Sequence, residues 1–449
     1  MSSTDLQKTC DCAEDHHDII KFLTDVVDQA VYFKDNYFET HSLDDAINRN
    51  RDIEALLTKD LQIFKKHENL ALQENKPYYY YLKGKLINLG AEYSEEAENL
   101  LSKAIKLDAK LVNAWNELGE CYCKKPEFPK AKSCFEGAMK EQRNKVSLRS
   151  LSIIYRQSTF SNSQKEIIKN LETSIAYAKE AVQLDPQDGL SWETLGNTYV
   201  AYFFMVHQKP ILLKQSLSAY TQAEKYIVSR SSPHLHYNKA INFKYQEYFK
   251  LALESFHEAC RYNPLWEVPR QKENELVMYL KNIQELVNKK GKLKPKKLQQ
   301  IVGSIDVKQL GLYGGEGFVN SVGEKITLKE TPYDNLTPGP NENTVILGKV
   351  ICSIRTEDNV PFTFCSIDKA GSVIVTSVYN LASGKGVIIG DSVAIPEPFL
   401  NEVDFVYNGD TFKFKLVRVD MPVILVVNSK KLGCNMQAGV EISIANKFD

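Results

Sequence analysis

The sequence predicts a multidomain α plus β protein: a helical-repeat α-solenoid followed by a C-terminal all-β barrel or sandwich. Three observations carry this. A pattern of large and small residues beginning at Trp115 recurs along the first half of the chain. A lysine run at 289–297 then interrupts it. Beyond about Lys325 the apolar spacing changes from helical to alternating.

Residues 1–17 lack periodicity and read as a disordered tail. Residues 18–75 read as a helical pair, a degenerate repeat or cap. Its first helix carries Ile19, Phe22, Leu23, Val26, Val27, Ala30 and Phe33. The second runs from about Leu43 to Lys66, with Ser42 as N-cap. A solenoid needs such an atypical end unit with a polar outer face.

The repeats occupy 76–265. Trp115, Leu118 and Tyr122 share one face of a helix, and Ala131, Phe135 and Ala138 line a second. Gly119 and the alanines are small, so the two helices can approach closely. Lys124-Lys125-Pro126 supplies the turn. The order Trp-Leu-Gly-Tyr, then Ala-Phe-Ala, is the skeleton of a tetratricopeptide repeat. Equivalent alanines fall at Ala104, Ala138, Ala181, Ala223 and Ala259, at intervals of 34, 43, 42 and 36 residues. The ideal period is about 34, so two repeats carry insertions. These fall near 157–169 and 202–213 and read as loops at one edge of the solenoid.

Residues 266–304 hold a capping helix over Pro269–Asn288 and then a run with six lysines in nine residues, Lys289 to Lys297. That run reads as a solvated linker, a nuclear import signal or a phosphate contact. Residues 305–449 form the β domain, in short Val-, Ile-, Phe- and Thr-rich strands. Among these are Thr344–Arg355, Pro361–Ile367, Gly386–Ile395 and Thr411–Val419, with a hairpin turn at Asn408-Gly409-Asp410.

Bulk composition excludes several classes. The formal net charge is −1, so no global field favours nucleic acid or an anionic membrane. No run of 18 apolar residues occurs, and the N-terminal segment has no secretory pattern. Nine cysteines, scattered and odd in number, suit reduced thiols. Catalytic sets are not visible, and no cofactor is expected. Gly311–Gly317 lacks the Lys-Ser/Thr of a phosphate loop and reads as a flexible loop. Cys10-Asp11-Cys12 with His16-His17 matches no standard zinc spacing, so no metal is expected, and Cys121 and Cys123 read as core. From Val345 onward ten basic residues face eleven acidic ones. A single-strand groove needs a positive track, so a protein contact is favoured over direct nucleic-acid binding by the β domain.

Repeat register also nominates a site. Positions 2, 5, 9 and 12 of each first helix should line the concave face. Counted from Trp115, these include Asn116, Glu120, Arg149, Arg156, Glu193, Asn197, His234, Tyr237 and Val268. Asparagines there can hold the N–H and C=O of an extended peptide, and Arg156 can grip a carboxylate or carbonyls.

Several stretches are more specific than the repeat consensus. They include Tyr37-Phe38-Glu39-Thr40-His41-Ser42, Ala114-Trp115-Asn116-Glu117-Leu118-Gly119-Glu120, Arg143-Asn144-Lys145-Val146-Ser147-Leu148 and Ile389-Gly390-Asp391-Ser392-Val393-Ala394-Ile395-Pro396-Glu397-Pro398. On these residues the chain resembles the tetratricopeptide repeat protein five family. The resemblance implies a solenoid followed by an OB fold, in cytoplasm and nucleus. It implies a cytoplasmic role in recognising the N-terminal peptide of nascent tubulin at the ribosome, leading through an mRNA-decay adaptor to tubulin mRNA decay. Arg156 would contact the peptide, and Lys103 and Lys106 would face the ribosome. It also implies a nuclear role as scaffold for a histone acetyltransferase co-activator complex in stress-responsive transcription. The tubulin role is preferred and the nuclear role is second. Single-stranded nucleic-acid binding through the OB fold is a third reading. The family pattern has acidic groove residues where this chain carries His234 and Val268.

Overall fold

The computed structural model describes residues 18–157, 163–206, 208–315, 317–319, 323, 325–354 and 360–438. The chain divides into two compact units: Met1–Gln246 with Ser255–Pro269, and Glu247–Glu254 with Arg270–Asp449. The expected tail at 1–17 lies outside the described residues, as do Cys10, Cys12, His16 and His17.

The first unit is all helix. It opens with Ile19–Asp35, the short helices Tyr37–Thr40 and Leu43–Asn48, and a long run from Arg49 to Asn88. Ser42 starts the Leu43 turn, its N–H and hydroxyl both donating to the Asp45 carboxylate at 3.0 and 2.9 Å. The long run is broken at Asn75, where φ is −153° and ψ 85°. Asn75 Oδ1 accepts from Tyr78 N–H at 3.1 Å, so it caps the first repeat helix. Helix pairs follow: Glu95–Leu107, Val112–Lys124 with Phe128–Glu141, Lys145–Gln157 with Gln164–Leu184, Gly189–Met205 with Pro210–Ala223, and Pro233–Tyr245.

Close packing explains the small residues. A Cβ added at Gly119 would sit 2.6 Å from the Phe135 ring, and one at Gly196 would sit 2.5 Å from the Tyr220 ring. Ala104, Ala138, Ala181, Ala223 and Ala259, which carry the register, are all fully buried. The two repeat tryptophans behave alike. Trp115 Nε1 donates to Ala109 O at 2.8 Å, and Trp192 Nε1 donates to Pro186 O at 2.9 Å.

The insertions differ from the expected loops. Most of their described residues are helical: Gln164–Lys169 opens one helix, Tyr202–Met205 closes another, and Pro210–Leu213 opens a third. Ile167, Ile168 and Leu171 pack with Ala201, Tyr202, Met205 and Val206. The extra turns bury an apolar stripe of their own, which a loop could not do.

The second unit holds a mostly antiparallel sheet. Its strands are β1 (Phe318–Val319), β2 (Lys325–Ile326), β3 (Lys329–Glu330), β4 (Gly339–Pro340), β5 (Thr344–Ile354), β6 (Phe362–Ile367), β7 (Val373–Val378), β8 (Ser392–Pro396), β9 (Phe399–Tyr407), β10 (Asp410–Val419), β11 (Val426–Val427) and β12 (Lys430–Lys431). The main order is β12-β11-β8-β5-β6-β7-β10-β9-β4, with β3 on β5 and β1 paired only with β2. The β7–β10 pairing is parallel. The sheet is not closed, which corrects the expected barrel: β12 and β4 stand at its two ends. β5 is buried along nearly its whole length because both its faces are covered. Ile346 and Val350 enter one core with Phe364, Ile374 and Val417, while Val345 and Leu347 enter another with Leu310, Tyr313 and Leu328. Asn408 and Gly409, both at positive φ (48° and 84°), turn β9 into β10 as the hairpin signal predicts.

The capping helix spans Glu267–Asn288. The lysine run is more structured than a free linker. Lys289 and Lys292 pair with Glu285, Lys290 Nζ donates to Gly371 O at 2.9 Å, and Pro295 starts the helix Pro295–Gly303. The glycine segment differs too. Val307–Tyr313 is a 3₁₀ helix, and a Cβ at Gly311 would meet Ser429 O at 2.6 Å. Gly311 therefore lies packed against the β11–β12 turn rather than in a flexible loop. A Cβ at Gly314 would meet Leu310 Cβ at 3.2 Å, whereas Gly315 has open space around it.

A candidate peptide-binding groove

The nominated groove residues lie in the first unit, on successive first helices of the repeats. Arg149 and Arg156 are two turns apart on Lys145–Gln157. Glu193 and Asn197 are one turn apart on Gly189–Met205, and His234 and Tyr237 lie on Pro233–Tyr245.

Four of the nine are held by neighbours that position counting does not supply. Arg149 Nη1 binds Asp188 Oδ2 at 2.8 Å, with both side chains nearly buried. Asp188 also accepts from Ser191 N–H at 3.1 Å and so caps the next helix. Asn116 is buried. Its Nδ2 donates to Asn144 Oδ1 at 3.1 Å, and its Oδ1 accepts from Ser147 Oγ at 2.6 Å. It clamps two repeats together instead of presenting an amide. Asn197 Oδ1 accepts from Tyr220 OH at 2.7 Å and from Asn238 Nδ2 at 2.9 Å. Glu193 is buried, and its Oε1 accepts from Ser232 Oγ at 2.9 Å.

Glu193 and Arg156 form the electrostatic centre of this surface. Burial pushes the Glu193 carboxyl up to about 7, against the pull of the Ser232 hydrogen bond and of the Arg149 and Arg156 charges. Burial also holds the Arg156 guanidinium below its usual range, opposed by Tyr220 and Glu193. Glu193 Oε2 makes no well-aligned hydrogen bond among the described residues, although the buried Ser229 hydroxyl is near enough to add to the pull that lowers the carboxyl's pKa. A buried carboxylate oxygen in that state favours an incoming donor.

At the far end an aromatic corner forms. Trp266 lies 4.6 Å from the His234 ring and 5.0 Å from the Tyr237 ring. Val268 is half-buried close by in sequence. Glu120 is half-buried, and its charge adds to the burial that raises the Glu117 carboxyl. Lys103 and Lys106 are exposed on the second helix Glu95–Leu107, three residues apart and on one face. The Lys103 ammonium stands 5.8 Å from the Tyr80 ring centre.

The residues that register counting missed are Asp188, Ser232, Asn238, Tyr220 and Trp266. Asp188 and Ser232 could have been found as helix N-caps, since each immediately precedes a helix. Among the described residues no group of three or more His, Cys, Asp or Glu could hold a metal ion, and no helix is long and apolar enough to cross a membrane.

Comparison with known proteins agrees with this architecture. A model of the Tetratricopeptide repeat protein 5 OB fold domain matches residues 327–441. Tetratricopeptide repeat protein 5 of Mus musculus is 42% identical over 431 residues, covering 96% of this chain and 97% of that protein. The Homo sapiens protein of the same name is 43% identical over 421 residues, covering 94% and 95%. A solenoid of tetratricopeptide type, an OB-fold match in the β unit and identity at this level along nearly the whole length lead to one conclusion: the chain belongs to the tetratricopeptide repeat protein 5 family.

Proposed function

We propose that the chain is a non-enzymatic adaptor that recognises the N-terminal peptide of nascent tubulin at the ribosome and so triggers tubulin mRNA decay. At the coarser level it is a repeat adaptor or scaffold of the tetratricopeptide type. The observation that supports the finer reading is the Arg156–Glu193 centre: an arginine beside a buried carboxylate with an unused oxygen. A peptide beginning Met-Arg-Glu offers groups of both signs to such a pair. Where the family pattern has acids, this chain has His234 and Val268. Glu193 then supplies the negative charge, and Trp266 with Tyr237 supplies an apolar wall. Lys103 and Lys106 stay free of the groove for a polyanionic surface such as ribosomal RNA.

Titration of a labelled Met-Arg-Glu-initiated peptide is the test. Arg156→Ala is expected to weaken binding at least about 10-fold with helix content unchanged, the loss of one charge-assisted contact. Equal affinity in wild type and variant sinks the groove reading. Charge reversal at Lys103 and Lys106 is expected to spare peptide binding and to reduce co-sedimentation with translating ribosomes.

A further inference from the structure

The β unit carries three cysteines that the groove reading does not use, and two of them, Cys352 and Cys365, are buried. Cys352 on β5 and Cys365 on β6 are directly paired in the antiparallel register. Antiparallel partners stand about 4.5–5.5 Å apart at Cα, inside the span of about 4.4–6.8 Å that a disulfide bridges. Directly opposed residues also point to the same face of a sheet. The register shifts between Val350 and Cys352, so a bulge sits at the pair and adds local twist. Both side chains are buried, at 7% and 0% exposure, and both thiols are free.

We propose that Cys352 and Cys365 form a cross-strand redox pair that closes to a disulfide when the chain meets a peroxide. The chemistry of the two thiols differs in the direction this needs. A hydrogen bond from Cys365 draws the Cys352 thiol below its ordinary range, while the same contact and burial raise Cys365. Cys352 is therefore the nucleophile and Cys365 the resolving thiol. The Cys352 thiolate attacks one peroxide oxygen, the O–O bond breaks, and hydroxide leaves and is protonated to water. Cys352 is now a sulfenic acid. The Cys365 sulfur attacks the Cys352 sulfur, its proton leaves with the displaced hydroxide as a second water, and the S–S bond forms. The two sulfurs together lose two electrons, and the peroxide is reduced to two waters. By contrast, the cysteines Cys121, Cys123 and Cys134 of the repeat unit are all raised, burial first among the causes, which keeps them as inert thiols.

The pair also has a structural address. Thr363, two residues before Cys365 and on the same face, meets Tyr279 OH at 2.9 Å. The staple would thus form on the face of the β unit that meets Tyr279 of the helix Glu267–Asn288, and would tie β5 to β6 across their hairpin.

The test uses the full chain treated with hydrogen peroxide, quenched, denatured, alkylated and digested with trypsin without reduction. A linked pair of the peptides Val350–Arg355 and Thr356–Lys369 is expected, about two mass units below their sum and separated by dithiothreitol. In Cys365→Ala, Cys352 is expected to stop at sulfenic acid and to react with dimedone. In Cys352→Ala no sulfenic acid is expected at Cys365. Should either variant fail to fold by circular dichroism, the wild-type peptide map decides alone. Full alkylation of both thiols after peroxide, or a link from either to another cysteine such as the exposed Cys434, overturns the proposal.

Discussion

Glu247 offers the sharpest test of how the second unit is held together. It belongs to the segment Glu247–Glu254 of that unit, with its side chain only 1% exposed. Its Oε1 accepts from Tyr379 OH at 3.1 Å and faces Arg418 Nη1 at 3.7 Å, and its Oε2 accepts from Asn401 Nδ2 at 2.6 Å. Arg418 in turn lies 3.9 Å from the Tyr379 ring centre and binds the exposed Asp420 at 2.8 Å. Glu247→Ala leaves the buried Tyr379 hydroxyl and the half-buried Asn401 and Arg418 donors facing an empty space. Breaking a buried pair costs about 3–5 kcal/mol, but Arg418 keeps Asp420 and the ring, so about 3 kcal/mol is expected. Glu247 has φ +64°, and alanine keeps a Cβ there, so backbone strain largely cancels in the comparison. Glu247→Gln keeps an acceptor and removes a carboxylate whose pKa burial raises, and is expected to cost about 1 kcal/mol. Hydrogen exchange of β7 and β10 amides reads the unit separately from the solenoid, and about 3 kcal/mol corresponds to roughly 100-fold faster exchange. If both variants exchange within about 2-fold of wild type, the cluster contributes nothing net and the reasoning fails.

Two further outcomes concern the repeat unit. Gly119→Ala drives a Cβ into the Phe135 ring at 2.6 Å and is expected to cost about 1–3 kcal/mol in urea unfolding, with Phe135→Leu in the same chain recovering part of it. Glu193 has a folded pKa of about 7, above its ordinary 4.5, so the folded state holds the extra proton between those values. Its contribution is therefore full below about 4.5 and lost as pH rises through about 7. Wild type should lose stability relative to Glu193→Gln across that window in paired unfolding titrations.

Much of the repeat unit was legible because its register is enforced sterically. Gly119 against Phe135 and Gly196 against Tyr220 leave no room for another residue, so the spacing survives as a pattern. The Asn408-Gly409 turn was legible for a similar reason, since both positions need positive φ. The groove was less so. Position counting places Asn116 and Arg149 on the first helices of their repeats, but their partners Asn144, Ser147 and Asp188 come from other helix starts, and only the fold brings them together. The insertions were misread although Ile167, Ile168 and Leu171 already stood at helical spacing; length suggested loops, and the apolar stripe decided otherwise. Sheet closure was not legible at all, because strand patterns fix faces and not which edges meet. Nor does local sequence reveal that Glu247, directly after a repeat helix, spends its carboxylate on Tyr379, Asn401 and Arg418.

If the groove binds a cationic peptide, the Arg156–Glu193 centre makes that binding proton-linked. Empty, the centre disfavours both charges: Glu193 is drawn toward its neutral form near pH 7 and Arg156 is desolvated. A guanidinium brought to the unused Glu193 Oε2 favours the ionised carboxylate and lowers its pKa, so binding releases a proton. Affinity for the Met-Arg-Glu-initiated peptide is therefore expected to rise from about pH 6 to about pH 8, by up to about 10-fold across the titration. The peptide's own amine titrates near 7.7–8.0 and would act in the opposite direction, weakening binding as pH rises. Glu193→Gln separates the two, because it removes the groove proton and leaves the amine. The variant should lose the rising component and keep the falling one. Identical pH profiles for wild type and Glu193→Gln would show that the carboxylate does not meet the peptide's charge, and the negative side of the recognition would then have to come from another residue, such as the exposed Glu267.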